Sequence, residues 1–128
     1  MTSREASRQH RGLDAAVGYV SRHLDERIRL CDLAAVAGVS ARTLGYLFMR
    51  SYGTTPMAFV KQQRLSKAYH LLQRADPSST TVATIARRCG FAHMGQFALD
   101  YKRSFGESPS ATLSQGRTDA RRRNTGPH

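Results

Sequence analysis

Two stretches of this chain echo each other: LAAVAGVSARTLGYLFMRSYGTTP from Leu33 to Pro56, and IARRCGFAHMGQFALDYKRSFGESP from Ile85 to Pro109. Leu33, Ala34 and Gly38 match Ile85, Ala86 and Gly90 at an offset of 52. Leu44, Phe48, Tyr52, Gly53 and Pro56 match Phe97, Tyr101, Phe105, Gly106 and Pro109 at an offset of 53, so one residue is inserted in the second turn. Each copy reads as a short helix whose Ala admits a close neighbour, a Gly-containing tight turn, and a longer helix with an exposed N-terminal portion, the helix-turn-helix pattern. One such unit is common among αα-hairpins. Two in register constrain the chain to a duplicated all-α architecture.

The apolar residues of the body recur at spacings of three and four, and no stretch alternates with the period of two that a half-buried strand needs. Leu13, Ala16, Val17, Val20 and Leu24 form a first helical stripe, and Leu30, Leu33, Ala34 and Ala37 a second that stops at Gly38. Ser40 has the residue type of an N-cap, ahead of Leu44, Leu47 and Phe48, and Gly53 ends that helix. Thr55 and Pro56 pair as cap and first turn of a helix running through Phe59, Val60, Leu65, Ala68, Tyr69 and Leu72 to Asp76 and Pro77. At ~1.5 Å per residue that segment predicts a rod of ~28 Å. Thr81 caps a short helix with Val82, Ile85 and Ala86; His93 to Phe105 supplies another, with Phe97, Tyr101 and Phe105 inward; Pro109 opens a last one. The expected architecture is a seven-helix bundle: a basic N-terminal tail over 1–12, a first helix-turn-helix subdomain over 13–54, a long linker helix over 55–75, a second subdomain over 76–113, and a basic C-terminal tail over 114–128.

Charge narrows the class of partner. The chain of 128 residues carries 20 Lys and Arg, 17 of them Arg, against 9 Asp and Glu, a net +11. The first twelve residues hold +2 and the last fifteen +3, which leaves +6 on the body. Arg offers a planar fork of donors suited to phosphates and base edges, so this balance favours a polyanion over a solvated basic surface with no partner. With 40% hydrophobic residues the chain can build a core, and no apolar run approaches the roughly 20 residues that span a bilayer. The polar start lacks the apolar centre of a signal peptide, so the expected location is cytoplasmic, associated with the nucleoid. Cys31 and Cys89 are far apart in no ligand spacing, so both read as small buried side chains, and neither metal nor cofactor is expected. No phosphate-binding Gly-Lys loop, HExxH or GxSxG occurs. Cys89 and His93 are four apart, but Gly90 breaks the helix between them and no orienting acid is near in sequence. The chain is therefore not read as an enzyme.

At this point TLGYLFMRSYGTTPMAFVKQQRLSKAYHLL, with Arg64-Leu65 and Ala68, resembles the first recognition helix and linker helix of the AraC/XylS transcription regulators. IARRCGFAHMGQFALDYKRSFGESPSATL, with Ile85-Ala86, Gly90-Phe91, Phe97 and Phe105-Gly106, resembles the second unit, closest at its end to the XylS-like branch. The resemblance runs from Leu13 to about Leu113. It implies seven helices, two helix-turn-helix subdomains and a promoter-binding transcription factor, usually an activator.

On the first recognition helix the stripe Leu44, Leu47, Phe48 leaves Arg42, Gly45 and Tyr46 outward. Arg42 is the leading base reader, since its guanidinium takes guanine O6 and N7 together. As a lone Arg it serves equally well as a phosphate clamp. Tyr46 suits a sugar or a thymine methyl, or packing at the solvent edge. Gly45 departs from the polar residue common there in the family; it permits close backbone approach while removing a side-chain contact. On the second helix Met94, Gly95, Gln96 and Leu99 are base-reading candidates, Gln96 first among them because its amide fits adenine N6 and N7. Asp100 is expected at the outer face, repelling phosphate. Ser40, Thr43, Arg50, Lys61, Arg87, Arg88, His93, Lys102 and Arg103 are the phosphate-contacting candidates, several of them plain solvated residues on the competing view.

The expected partner is double-stranded promoter DNA, with RNA polymerase a further candidate, no membrane, and no intrinsic small-molecule effector pocket. The family usually joins an effector or dimerisation domain upstream, and about twelve residues precede the first helix here, so the chain reads as a stand-alone regulator or a truncated one. The competing class is a basic adaptor, or a nucleic-acid binder without sequence preference. Arg42 and Gln96 discriminate: a specific reader loses selectivity at one base pair when Arg42 goes, a nonspecific one loses affinity uniformly.

Overall fold

The computed structural model describes residues 2–115, and within them the secondary structure is seven helices with no strand. They are α1 (Ser3–Arg22), α2 (Leu30–Ala37), α3 (Ala41–Tyr52), α4 (Pro56–Arg74), α5 (Val82–Arg88), α6 (Met94–Phe105) and α7 (109–115). The chain divides into two units, one ending at Gln63 and one beginning at Arg64, a boundary inside α4.

In the first unit α1 packs chiefly on α2. Its core is Leu13, Ala16, Val20, Ile28, Leu33, Ala34, Ala37, Leu44, Leu47, Phe48 and Val60, with Leu24 partly buried against it beyond the end of α1. Phe59 meets Phe48 edge-on at 5.2 Å between ring centroids. The second core is Leu65, Ala68, Leu72, Ile85, Ala86, Cys89, Phe97, Tyr101 and Leu113. Tyr69 stacks on Phe105 at 4.6 Å, and Tyr101 donates a hydrogen bond to Thr112 Oγ1 at 2.7 Å, fastening α7 to α6. α4 thus gives Val60 to one core and Leu65, Ala68 and Leu72 to the other, each burial contributing roughly 1.5 to 3 kcal/mol for a large aliphatic side chain.

Helix starts follow the local chemistry. Ser40 Oγ accepts from the Thr43 N–H at 3.1 Å, Thr55 Oγ1 from Ala58 at 3.2 Å and Thr81 Oγ1 from Thr84 at 3.2 Å. The Asp32 carboxylate accepts the Arg29 N–H at 3.1 Å. The two tight turns put Gly38 at φ 71° and Gly90 at φ 91°, left-handed values that a side chain resists. The extra residue of the second copy lies in its turn, which is two residues longer because α5 also stops one residue short of the match to Ala37: residues 38–40 separate α2 from α3, and 89–93 separate α5 from α6.

Four expectations change. Residues 3–12 are not a tail but the first turns of α1. They show no apolar period because, apart from half-buried Gln9 and buried Gly12, they are exposed. The helix starts at Thr2, whose side chain accepts from the Glu5 N–H at 3.2 Å, and Glu5 lies in the positively polarised first turn. Cys31, expected inside, is exposed in the first turn of α2; Cys89 is buried. Asp100, expected outward, is 6% exposed. Of the expected C-terminal tail, Ser114 and Gln115 are helical and 116–128 lie outside the described residues.

Candidate nucleic-acid interface

The Gly38 turn and the Ser40 cap set the start of α3. Leu44, Leu47 and Phe48 then anchor one side of it in the core, with 0%, 8% and 0% exposure. The opposite side presents Arg42, Tyr46 and Met49 at spacings of four and three, all exposed, Tyr46 at 62%. A Cβ at Gly45 would meet nothing within 4 Å, so the backbone there is open to approach. Ser40 and Thr43 are committed to the cap: Ser40 Oγ also donates to Thr43 Oγ1 at 3.0 Å. What they leave for an anion is the pair of first-turn N–H groups at Ala41 and Arg42, which precede the first intrahelical donor, the Leu44 N–H bonded to the Ser40 carbonyl. Arg50 is exposed in the last turn of α3, and Lys61 is exposed on the part of α4 that belongs to this unit.

Met49 was not singled out from sequence, although its place three residues after Tyr46 and seven after Arg42 puts it on their face. Composition hid it, because a methionine in a helix is read as core.

In the second unit His93 is the N-cap of α6 by backbone conformation, and its side chain makes no capping hydrogen bond. Met94 is half-buried against the second core, whereas Gly95, Gln96 and Leu99 are exposed, Leu99 at 62%. Gln96 Nε2 donates to Asp100 Oδ1 at 3.1 Å. This one bond alters two expectations: Asp100 lies under the outer face instead of on it, and the Gln96 amide is already oriented by a carboxylate. Arg87 and Arg88 end α5, and Lys102 and Arg103 lie in the last turn of α6, all exposed. Each unit therefore gathers its candidates on one recognition helix with cations at its ends.

The neighbouring Cys89 is no nucleophile in waiting. Burial pushes its thiol above the usual range, against the smaller opposing pull of Lys67 and Arg88. Among the described residues no group of three His, Cys, Asp or Glu is placed to hold a metal ion, and no single helix is long and apolar enough to cross a membrane.

A helix-turn-helix domain family matches residues 33–115, spanning both recognition helices. A probable thc operon regulatory protein of Rhodococcus erythropolis is 46% identical over 98 residues, 77% of this chain and 30% of its own length. An XylDLEGF operon transcriptional activator of Pseudomonas putida is 34% identical over 109 residues, 85% of this chain and 34% of its own. The chain therefore spans about a third of these curated relatives. Among solved structures, a probable AraC family transcriptional regulator of Rhodopseudomonas palustris superposes with a TM-score of 0.76 at 40% identity, covering 84% of this chain and 98% of the other. The DNA-binding domain of AdpA, a global transcriptional factor solved in complex with a target DNA, gives 0.75 at 32% identity, covering 89% and 97%.

Proposed function

The chain belongs to the AraC/XylS family of helix-turn-helix transcription regulators, and from that premise we propose that it is a sequence-specific reader of double-stranded promoter DNA that inserts α3 and α6 into successive major-groove segments. The observation that carries the reading is the duplication itself: two helices of twelve residues, each with one side sealed in a core and the other exposed, in a chain of +11. Successive major grooves on one face of B-DNA recur about every 34 Å, so one chain with two readers needs no dimer symmetry to address two of them.

On this reading Arg42 takes a guanine through O6 and N7, Tyr46 and Met49 make apolar or sugar contacts beside it, and Gly45 lets the backbone close on the groove. In the second unit Gln96, held by Asp100, faces an adenine; Leu99 and Gly95 read thymine methyls and groove shape, and Met94 supports them from the half-buried side. Ser40, Thr43 and His93 mark the helix starts that meet phosphate, and Arg50, Lys61, Arg87, Arg88, Lys102 and Arg103 neutralise the flanking backbone. Activation is the direction that the activators among its relatives support, and contact with RNA polymerase in the cytoplasm is how this chain would exert it.

Selection of bound duplexes from a random pool at fixed salt tests it. The expected result is two short preferred blocks about one helical turn apart. Arg42→Ala should relax one base pair in one block, costing roughly 1 to 3 kcal/mol there. Recovery of no preferred sequence, or uniform loss of affinity on Arg42→Ala, would overturn the proposal in favour of nonspecific binding.

A further inference from the structure

The first turns of α1 bury almost nothing, yet they are helical and cationic. From Ser3 to Arg11 every residue but half-buried Gln9 is exposed. Arg4, Arg8 and Arg11 follow at spacings of four and three, so they share one side of the helix, and with Ser3 and Ser7 they line an open surface hollow. The ion pairs among the described residues leave these three out: His10 pairs with Asp14 at 3.6 Å, His23 with Glu26 at 3.7 Å, and Arg29 with Asp32 at 3.5 Å. Glu5 is the one acidic residue on the segment.

Gly12 fixes where this segment lies. A Cβ there would run into the carbonyl oxygen of Ala37, the last residue of α2. α1 thus crosses the end of α2 in direct backbone contact, three residues before the Ser40 cap of α3. The arginine face begins at the residue next to that crossing, beside the turn that delivers the start of α3. An exposed helical segment this short is marginal without packing, so folding alone gives little reason for its charge pattern.

We infer that Arg4, Arg8 and Arg11 form a phosphate-binding arm that grips the DNA backbone flanking the groove entered by α3. From Arg4 to Arg11 is seven helical residues, ~10.5 Å of rise. One DNA strand carries a charge about every 3.4 Å along the axis, so the arm faces roughly three phosphates. The arm adds affinity without sequence information, and it rests on the duplex-DNA reading above.

The test compares the full chain with Arg4→Gln/Arg8→Gln/Arg11→Gln on a duplex of the selected sequence and on a scrambled duplex, from 50 to 200 mM salt. Loss of three contacts should flatten the slope of log affinity against log salt by about 2.7, so the parent loses on the order of forty-fold more affinity than the variant across that range. The ratio between the two duplexes should not change. Arg4→Lys/Arg8→Lys/Arg11→Lys should keep the parent slope. Phosphate-ethylation interference on the unaltered protein, which needs no variant to fold, should mark two or three phosphates flanking the α3 contacts. An unchanged slope in a Gln variant of normal helicity, or no flanking interference, overturns the arm and points to an acidic protein as its partner. The two readings fail separately: lost base preference with a retained slope difference removes the reader and keeps the arm, and the converse removes the arm alone.

Discussion

Three glycines inside helices make opposite predictions under one substitution. Helix propensity alone says that Gly→Ala stabilises by up to ~1 kcal/mol, because Ala loses less backbone freedom on folding. At Gly45 and Gly95 a Cβ meets nothing within 4 Å, so the full effect should appear at Gly45 and a smaller one at Gly95, in the first turn of α6, which has no side-chain cap. At Gly12 the Cβ would strike the Ala37 carbonyl, which is backbone and cannot swing aside. α1 must then retreat from α2, loosening Leu13, Ala16 and Val20, which are 3%, 0% and 0% exposed. Overpacking of this kind costs about 1 to 3 kcal/mol, more than the propensity gain. The expected order of stability is Gly45→Ala, Gly95→Ala, parent, Gly12→Ala. Urea denaturation followed by far-UV circular dichroism measures it, with each unit's transition fitted separately because the two cores need not melt together. Gly12→Ala as stable as the parent would refute the close crossing, and with it the placement of the arginine arm. DNA affinity supplies a second axis: if the backbone at Gly45 closes on the groove, Gly45→Ala should bind more weakly while folding more stably.

Two other perturbations bear on the fold itself. Burial pushes the Tyr101 phenol up to about 12, with Glu107 and Tyr69 adding to it. Between the ordinary tyrosine value near 10 and that figure the unfolded chain sheds the proton while the folded chain keeps it, so stability should fall as pH rises through that window, by about 3 kcal/mol in all. Tyr101→Phe should cost about 1 kcal/mol at neutral pH, since Thr112 Oγ1 still donates to the Ser108 carbonyl at 3.4 Å, and should remove this part of the alkaline loss in a pH series of denaturation curves. Ser40→Ala takes the acceptor from the Thr43 N–H, and should cost the first unit about 1 kcal/mol by the same denaturation assay.

Much of the fold was legible because it is written in residues with few conformational choices. Thr55-Pro56, Thr81, Gly38, Gly53 and Gly106 mark ends, and the three-and-four spacing of Leu, Phe and Ala marks the buried faces. Periodicity is silent where a helix packs against nothing, and that is why residues 3–12 read as a tail. The local signal was Thr2 followed three residues later by Glu5, a capping pattern with no apolar stripe behind it. Likewise Cys31, small and soft, carries no sign of which side of α2 it occupies, whereas Leu33 and Ala34 beside it are fixed by their match to Ile85 and Ala86.

The candidate site divides the same way, and α6 shows why. Which residues of a helix face outward follows from its stripe, so Arg42, Tyr46, Gln96 and Leu99 could be placed by counting from Leu44 and Phe97. What each does there depends on neighbours that counting does not rank. Asp100 follows Phe97 by three residues and precedes Tyr101 by one, which leaves it at the margin of the stripe, where a rotation of a few tens of degrees decides between solvent and core. The structure decides for the core, and the consequence reaches Gln96 one turn earlier. A free glutamine amide samples many rotamers and can present either end to a base; one whose N–H is engaged at 3.1 Å by a carboxylate has part of that entropy removed before any ligand arrives. The carboxylate that sequence alone cast as a source of repulsion is thereby the group that holds the Gln96 amide, and on the proposed reading it orients that amide for a base.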